Sequence, residues 1–254
     1  MILRALGIAR GDVVAVAGAG GKTTLVYRMA SEARACGLRV LVTTTTHMGT
    51  MDEESVGPVL VEEGGDLAVA VGEALEREGR VTLLGRRVRP DKLEGVAPAR
   101  VDTLAVLADL VLVEADGARG RSLKVPAPYE PVIPRSTTIV VVVCALDVLG
   151  QPLDEEHVHR LDLVRAATGV EAGEAVDEDC VAAALRHTDG YPSRIPSRAR
   201  AGVFLNKAES HEALAAGARL AARLIPPYHW VAAGSARSGE VRTWPPMRRV
   251  ERVI

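Results

Sequence analysis

Five apolar residues, Val13-Val14-Ala15-Val16-Ala17, run straight into Gly18-Ala19-Gly20-Gly21-Lys22-Thr23-Thr24. A short, wholly apolar run that ends in glycine reads as a buried strand. Beyond the glycines, Leu25, Val26, Met29, Ala30 and Ala33 recur at helical spacing, which predicts a helix from about Thr23 to Cys36 with Gly37 as its stop. Leu38 to Val42 reads as a second strand. Strand, loop, helix and strand within about thirty residues make a βαβ unit, hence parallel strands joined by a right-handed crossover.

The residue types in the connecting loop carry chemistry. Glycines let backbone N–H groups surround phosphate oxygens with no Cβ in the way. The helix mouth adds unpaired donors and the positive end of a dipole. In such a P-loop Lys22 reaches the β- and γ-phosphates, Thr23 ligates Mg²⁺ through its hydroxyl, and Thr24 bonds the α-phosphate. The expected ligands are therefore GTP or ATP with Mg²⁺, held by Gly18, Ala19, Gly20, Gly21, Lys22, Thr23 and Thr24. Val16 stands where the usual P-loop has its first glycine, so this is the compact form Gly-x-x-Gly-Lys-Thr-Thr. That form resembles the loop of the Mur ligases and of some NTPases.

The alternation of helix and strand continues. Helices are expected over about Asp66–Glu78, Val101–Leu107, Val158–Thr168, Glu178–Arg186 and Ala208–Leu224. Strands are expected at Val81–Leu84, Leu110–Val113, Ile139–Val143, Val203–Leu205 and His229–Ala232, the last core strand. The apolar content is dominated by Val, Leu and Ala, with one Phe and two Trp, as in sheets buried on both faces. The expectation is an α/β, P-loop NTPase-like three-layer sandwich with a mostly parallel central sheet. It forms a single domain over residues 1–254, with a helical insertion around 150–200. The proline-rich stretch Lys124–Pro134 reads as a rigid connection between two strands, since proline lacks the N–H a central strand needs.

Composition narrows the function classes. A net charge of −2 gives no basic balance for nucleic acid. Three scattered cysteines suit a reducing cytoplasm better than a disulfide framework. No apolar run is long enough for a membrane span, which takes about 18 residues or more. Oligomeric state is not legible.

Acids follow the strand at Leu110-Val111-Leu112-Val113-Glu114-Ala115-Asp116-Gly117. Ligands of open α/β sheets bind at that carboxyl edge. Asp116 is expected to hold Mg²⁺ and Glu114 to orient an attacking water, making Lys22, Glu114 and Asp116 the catalytic candidates; the bland alternative is a capped turn before Gly117. Asn206-Lys207-Ala208-Glu209 resembles the Asn-Lys-x-Asp base-recognition motif of GTPases, with glutamate replacing aspartate, and Gly234-Ser235-Ala236 resembles the loop that contacts the guanine carbonyl. Asn206, Lys207, Glu209, Ser235 and Ala236 are the base-side candidates. The same residues also read as a helix start with Asn206 as N-cap. Thr43–Thr46 line the phosphates or simply end a strand, and His47 is read as structural. Asp154-Glu155-Glu156-His157-Val158-His159-Arg160 invites a metal reading, but an ordinary charged helix start is preferred.

These motifs together resemble the YqeC family, whose members are described as accessory proteins for selenium-dependent molybdenum hydroxylases. The likeness rests on Gly18–Leu25, Val42–Thr46, Glu114–Gly120, Leu123-Lys124, Glu130–Pro134, Leu146-Asp147 with Gly150, His159-Arg160 and Phe204–Ala208. Tyr129 stands where that family is expected to have histidine. The resemblance implies a nucleotide-driven accessory protein in the cytoplasm, working with a protein partner to mature a selenium- or molybdenum-containing cofactor or its hydroxylase. Arg119 and Arg121 are candidates to neutralise transition-state charge. The alternatives are a Mur-ligase-like or kinase-like enzyme acting on a small molecule, and a nucleotide-sensing regulator without turnover.

Overall fold

The computed structural model describes residues 1–46, 48–49, 57–62, 66–89 and 92–246. Its centre is a nine-stranded sheet. In chain order the strands are β1 (Val13–Gly18), β2 (Val40–Thr44), β4 (Val59–Val61), β5 (Arg80–Leu84), β8 (Leu110–Glu114), β10 (Ile139–Ala145), β12 (Arg200–Asn206), β13 (Trp230–Gly234) and β14 (Val241–Trp244). Across the sheet they run β14-β13-β12-β10-β1-β8-β2-β5-β4. Every pairing is parallel except β13 with β14. Two smaller sheets hold β3 (Met48–Gly49), β6 (Arg87–Arg89) and β7 (Lys92–Leu93), and β9 (Leu123–Lys124) with β11 (Val158–His159).

Period-two alternation assigns the layers. On β1, Val14 and Val16 face one side while Ala15 and Ala17 face the other. The first side is covered by α1 (Ile2–Leu6) and α2 (Lys22–Ala35), through Leu3, Leu6, Leu25 and Met29. On the second side, α3 (Leu67–Glu78) and α4 (Pro98–Leu104) cover the β2–β5–β8 half. The β10–β12 half of that side is covered by α5 (Leu161–Thr168), α6 (Glu178–Arg186) and α7 (His211–Leu224). The result is the mostly parallel α/β, P-loop NTPase-like architecture expected from the sequence, with β1 and its glycine loop in the middle of the sheet. Among the described residues, no helix is long and apolar enough to cross a membrane.

Several local expectations change. Helix α5 starts at Leu161 rather than Val158, because Val158 and His159 pair in parallel with Leu123 and Lys124. The stretch before it is a turn, not a helix start: Asp154 Oδ1 accepts the amides of Glu156 and His157 at 2.9 and 3.0 Å. Helix α7 starts at His211, and its N-cap is Ser210, whose Oγ accepts the Ala213 amide at 3.1 Å. Asn206 therefore ends β12, and Lys207 to Glu209 are loop. Strand β14 lies beyond the expected last strand; as a half-exposed edge it carries Arg242 and Thr243 and shows no continuous apolar run.

Candidate functional site

The loop after β1 needs its glycines. Gly18 has φ +102°, and a Cβ there would lie 2.1 Å from the Val143 carbonyl oxygen. At Gly21, φ is +112° and a Cβ would meet the Asn206 amide nitrogen at 2.3 Å. Both values lie in the left-handed region that side chains disfavour. Ala19 N–H is spent on the Val143 carbonyl at 2.8 Å. Among the described residues, the amides of Gly20, Gly21, Lys22 and Thr23 have no acceptor. Four free donors at the mouth of a fourteen-residue helix form an anion cradle.

Carboxylates stand behind and beside that cradle in two different ways. Asp116 is fully buried. Its oxygens accept the Gly18 amide at 3.0 and 3.1 Å and the Tyr191 hydroxyl at 3.1 Å. Lys22 Nζ lies 3.3 Å from Oδ1 and Lys124 Nζ 3.1 Å from Oδ2. Glu114, on the last residue of β8, faces the cradle. Its Oε2 accepts the Thr23 hydroxyl at 2.8 Å, and Lys22 Nζ sits 3.7 Å from Oε1. Burial pushes the Glu114 carboxyl above its usual range, and Lys22 and the Thr23 hydroxyl oppose this. Lys22 Nζ itself folds back to donate to the Gly18 carbonyl at 2.9 Å.

Behind Asp116 lies a further run of paired charges. Lys124 is 1% exposed, and its ammonium donates to Glu130 Oε2 at 2.9 Å and to the Gly117 carbonyl at 2.7 Å as well as meeting Asp116. Glu130 Oε1 accepts from Arg160 Nη2 at 3.2 Å. Burial raises the Glu130 carboxyl, but Lys124 and Arg160 outweigh it and hold it below the usual range. Burial and the Asp116 charge keep the Tyr191 hydroxyl protonated far above ordinary pH. One signal was visible for Lys124, a cation inside the buried run Leu123-Lys124-Val125. Tyr191 carries none, because its partner lies 75 residues away.

Of the base-side residues, Asn206 reaches the same loop. Asn206 Nδ2 donates to the Gly20 carbonyl at 2.7 Å, and its Oδ1 accepts the Ala236 amide at 3.0 Å. Asn206 thus ties the phosphate loop to the 234–236 loop. Ser235 Oγ donates to Glu209 Oε1 at 2.6 Å, and the two line a cavity of about 490 Å³. Lys207 has φ 58° and pairs with Asp147 at 2.5 Å. Thr44 and Thr45 pack beside Glu114: Thr44 Oγ1 donates to its carbonyl at 3.0 Å, and the Thr45 amide donates there at 3.1 Å. His47 lies outside the described residues. His157 Nδ1 meets Asp154 at 2.8 Å, and among the described residues no group of three His, Cys, Asp or Glu side chains could hold a metal ion.

A family model described as YqeC protein matches residues 14–162, from the strand before the glycine loop to the start of α5. The chain belongs to the YqeC family. It is 34% identical over 200 residues to the uncharacterized protein YqeC of Escherichia coli (strain K12), covering 78% of this chain and 77% of that one. The Asn206–Glu209 and Ser235–Ala236 segments lie beyond the stretch matched by the family model. Among solved structures, FtsY from Mycoplasma mycoides aligns with a TM-score of 0.40 at 15% identity over 91% of this chain. The signal recognition particle 54 kDa protein from Aeropyrum pernix K1, in complex with GDP, aligns with 0.38 at 16% over 92%. The chain spans 63% and 44% of those two proteins.

Proposed function

We propose that this protein binds a nucleoside triphosphate with Mg²⁺ at Gly18–Thr24 and hydrolyses it. The observation that carries this is the cradle: four free amides at a helix mouth, a lysine ammonium, and a hydroxyl–carboxylate pair at its edge. The donor set fits magnesium, a hard cation that takes oxygen ligands and keeps several waters. Thr23 and Glu114 would hold it, and when bound it neutralises charge building up on the phosphates. Asp116 takes the anchoring role, fixing Gly18 from behind the loop. Lys22 exchanges its present acceptor, the Gly18 carbonyl, for phosphate oxygens.

The base is proposed to be guanine, with GTP preferred over ATP. Glu209 is held at a defined place by Ser235, and Asn206 locks both loops together. The acid would accept from guanine, and the Lys207 stem would cover the ring. We propose further that the work is the maturation of a selenium- or molybdenum-dependent hydroxylase or its cofactor, in the cytoplasm and with a protein partner, the role that the resemblance to the YqeC family implies. Calorimetric titration of GTP and ATP with Mg²⁺ tests the core of this reading. GTP is expected to bind tighter by roughly tenfold or more, since a hydrogen bond to a charged group contributes about 1.5–3 kcal/mol. Glu209→Ala should erase that preference while leaving triphosphate binding intact. If neither nucleotide binds the wild-type protein, the reading fails.

A transferring enzyme acting on a small molecule is the second reading. A cavity of about 1200 Å³ whose lining includes Thr45, Thr46 and Gly117 favours it, since hydrolysis alone needs no room for an acceptor.

A further inference from the structure

Beside the phosphate loop, the ends of β2 and β8 open onto a cavity of about 1200 Å³, walled by Thr45, Thr46, Arg119, Tyr129, Glu130 and Arg160. A space of that size suits a whole small molecule. Its cations are unusually placed. Among the described residues, three non-glycine positions have positive φ: Arg119 at 49°, Arg160 at 63° and Lys207 at 58°. All three carry a cation at the ligand edge of the sheet, and two of them line this cavity. Such backbone is strained for a residue with a side chain and clusters at binding sites.

The two arginines present different faces. The Arg119 side chain is exposed and has no acceptor among the described residues. Arg160 lies over the Tyr129 ring with its guanidinium carbon 5.4 Å from the centroid, and its Nη2 donates to the Tyr129 hydroxyl at 3.0 Å and to Glu130. Two of the five guanidinium donors are used. Tyr129 is 70% exposed, so the aromatic wall is open to an arriving ligand. Arg121 is tethered to the Glu155 carbonyl and braces the rim. His159 stands neutral there, held down to about 4 by burial and by Lys124 and Arg160.

We infer that this cavity is a second ligand site, taking a small molecule with an oxyanion group gripped by Arg119 and Arg160, and that its occupancy is felt at the phosphate loop. The coupling path is a buried alternation of charge. Arg160 pairs with Glu130, Glu130 with Lys124, Lys124 with Asp116, and Asp116 with the Gly18 amide and Lys22. An oxyanion that draws Arg160 off Glu130 leaves Lys124 as its one charged partner among the described residues and loosens the hold of Lys124 on Asp116. Each ligand then changes the other's affinity by the same factor. Arg119 is assigned here to the second ligand rather than to hydrolysis. The coupling rests on the proposed nucleotide site; the oxyanion site itself does not.

The test uses Lys22→Ala protein, in which the loop's own anion grip is weakened, titrated calorimetrically with inorganic phosphate and separately with malonate. Saturable binding of either is expected, with phosphate or malonate winning according to whether the natural ligand is a phosphoester or a carboxylate. Adding Arg119→Ala, which breaks no side-chain hydrogen bond or ion pair among the described residues, or Arg160→Met should weaken it about tenfold, the worth of one charged hydrogen bond. No saturable binding of either anion, or binding that neither arginine change affects, overturns the site. Coupling is read in wild-type protein: the favoured anion should shift nucleotide affinity, and an unchanged affinity with both ligands binding overturns the linkage. Failure of nucleotide to bind is a separate result that sinks the nucleotide reading alone.

Discussion

Asp116 and Arg160 sit at the two ends of one chain of charges and could hardly be treated more differently by the fold. Around Asp116 everything is closed: the carboxylate is fully buried and meets an amide, a hydroxyl and two ammonium groups. Around Arg160 the wall is open, with a half-exposed guanidinium, an exposed tyrosine ring and a large cavity. Buried charge in low dielectric is costly to leave unpaired, so a fully partnered cluster is stiff. A charge at a cavity rim loses little when it changes partner. The contrast separates a fixed frame that holds the glycine loop from a reading surface that can answer a ligand.

The strongest way to break that contrast is to remove the cation between the two ends. Lys124→Met leaves Asp116 short of one partner and Glu130 facing the interior with Arg160 alone. Removing one member of a buried pair costs about 3–5 kcal/mol. Chemical denaturation should register a loss of that size, and a loss under about 1 kcal/mol, the usual value for an exposed pair, would show that the frame is not held this way. Next comes Lys22→Ala. Lys124 still serves Asp116 in this variant, so stability should fall less, while nucleotide affinity should drop about a hundredfold, or roughly 2.7 kcal/mol. A variant that binds GTP and ATP as the wild type does would put the triphosphate somewhere other than the glycine loop.

Much of the frame was readable before any coordinates. The apolar runs Val13–Ala17, Leu110–Val113 and Ile139–Val143 are all strands, and Glu178–Arg186 is a helix at those residues. Buried parallel strands and amphipathic helices write their period directly into the chain. Edge strand β14 did not, since a strand half in water alternates and is interrupted by Arg242. The site was legible in its glycines and in its acids, but not in how the acids divide their work. Glu114 and Asp116 are two residues apart at a strand end, where the period puts both on one face. Which of them reaches the cradle depends on what fills the space behind, and that is Tyr191, just before a 3₁₀ turn at Pro192–Arg194, and Lys124 from a two-residue strand. Neither contact has a local pattern, and distant pairings of this kind are set by packing alone.

Tyr191→Phe sharpens the comparison from the closed side. It deletes one hydroxyl from a buried carboxylate and leaves the shape intact. A hydrogen bond to a charged group contributes about 1.5–3 kcal/mol, and the low end is expected because Gly18 and two lysines remain on Asp116. Denaturation midpoints should fall accordingly, with nucleotide affinity moving only slightly. A larger effect on nucleotide binding than on stability would mean that Asp116 reaches the ligand rather than fixing the loop.

The smallest effect comes from the open side and tests whether the cations really face inward there. Burial lowers the His159 pKa from its ordinary 6.5 to about 4, helped by Lys124, Arg160 and Arg119 and opposed by Glu130. A histidine held below its unfolded value binds its proton less readily in the native state. Its contribution to stability is therefore complete above pH 6.5 and is lost as pH falls from there toward 4. Because the ring is only partly buried, solvent screens the effect and the slope should be shallow. Stability curves of the wild type and His159→Gln, measured from pH 7.5 down to about pH 4.5 where the carboxylates begin to titrate, should draw together as the pH drops. Curves that stay parallel would mean that His159 is open to water and turned away from Lys124 and Arg160. An oxyanion bound at the cavity should raise the histidine toward its ordinary value and flatten the difference, so the same pair of curves repeated in phosphate or malonate reports on the wall itself.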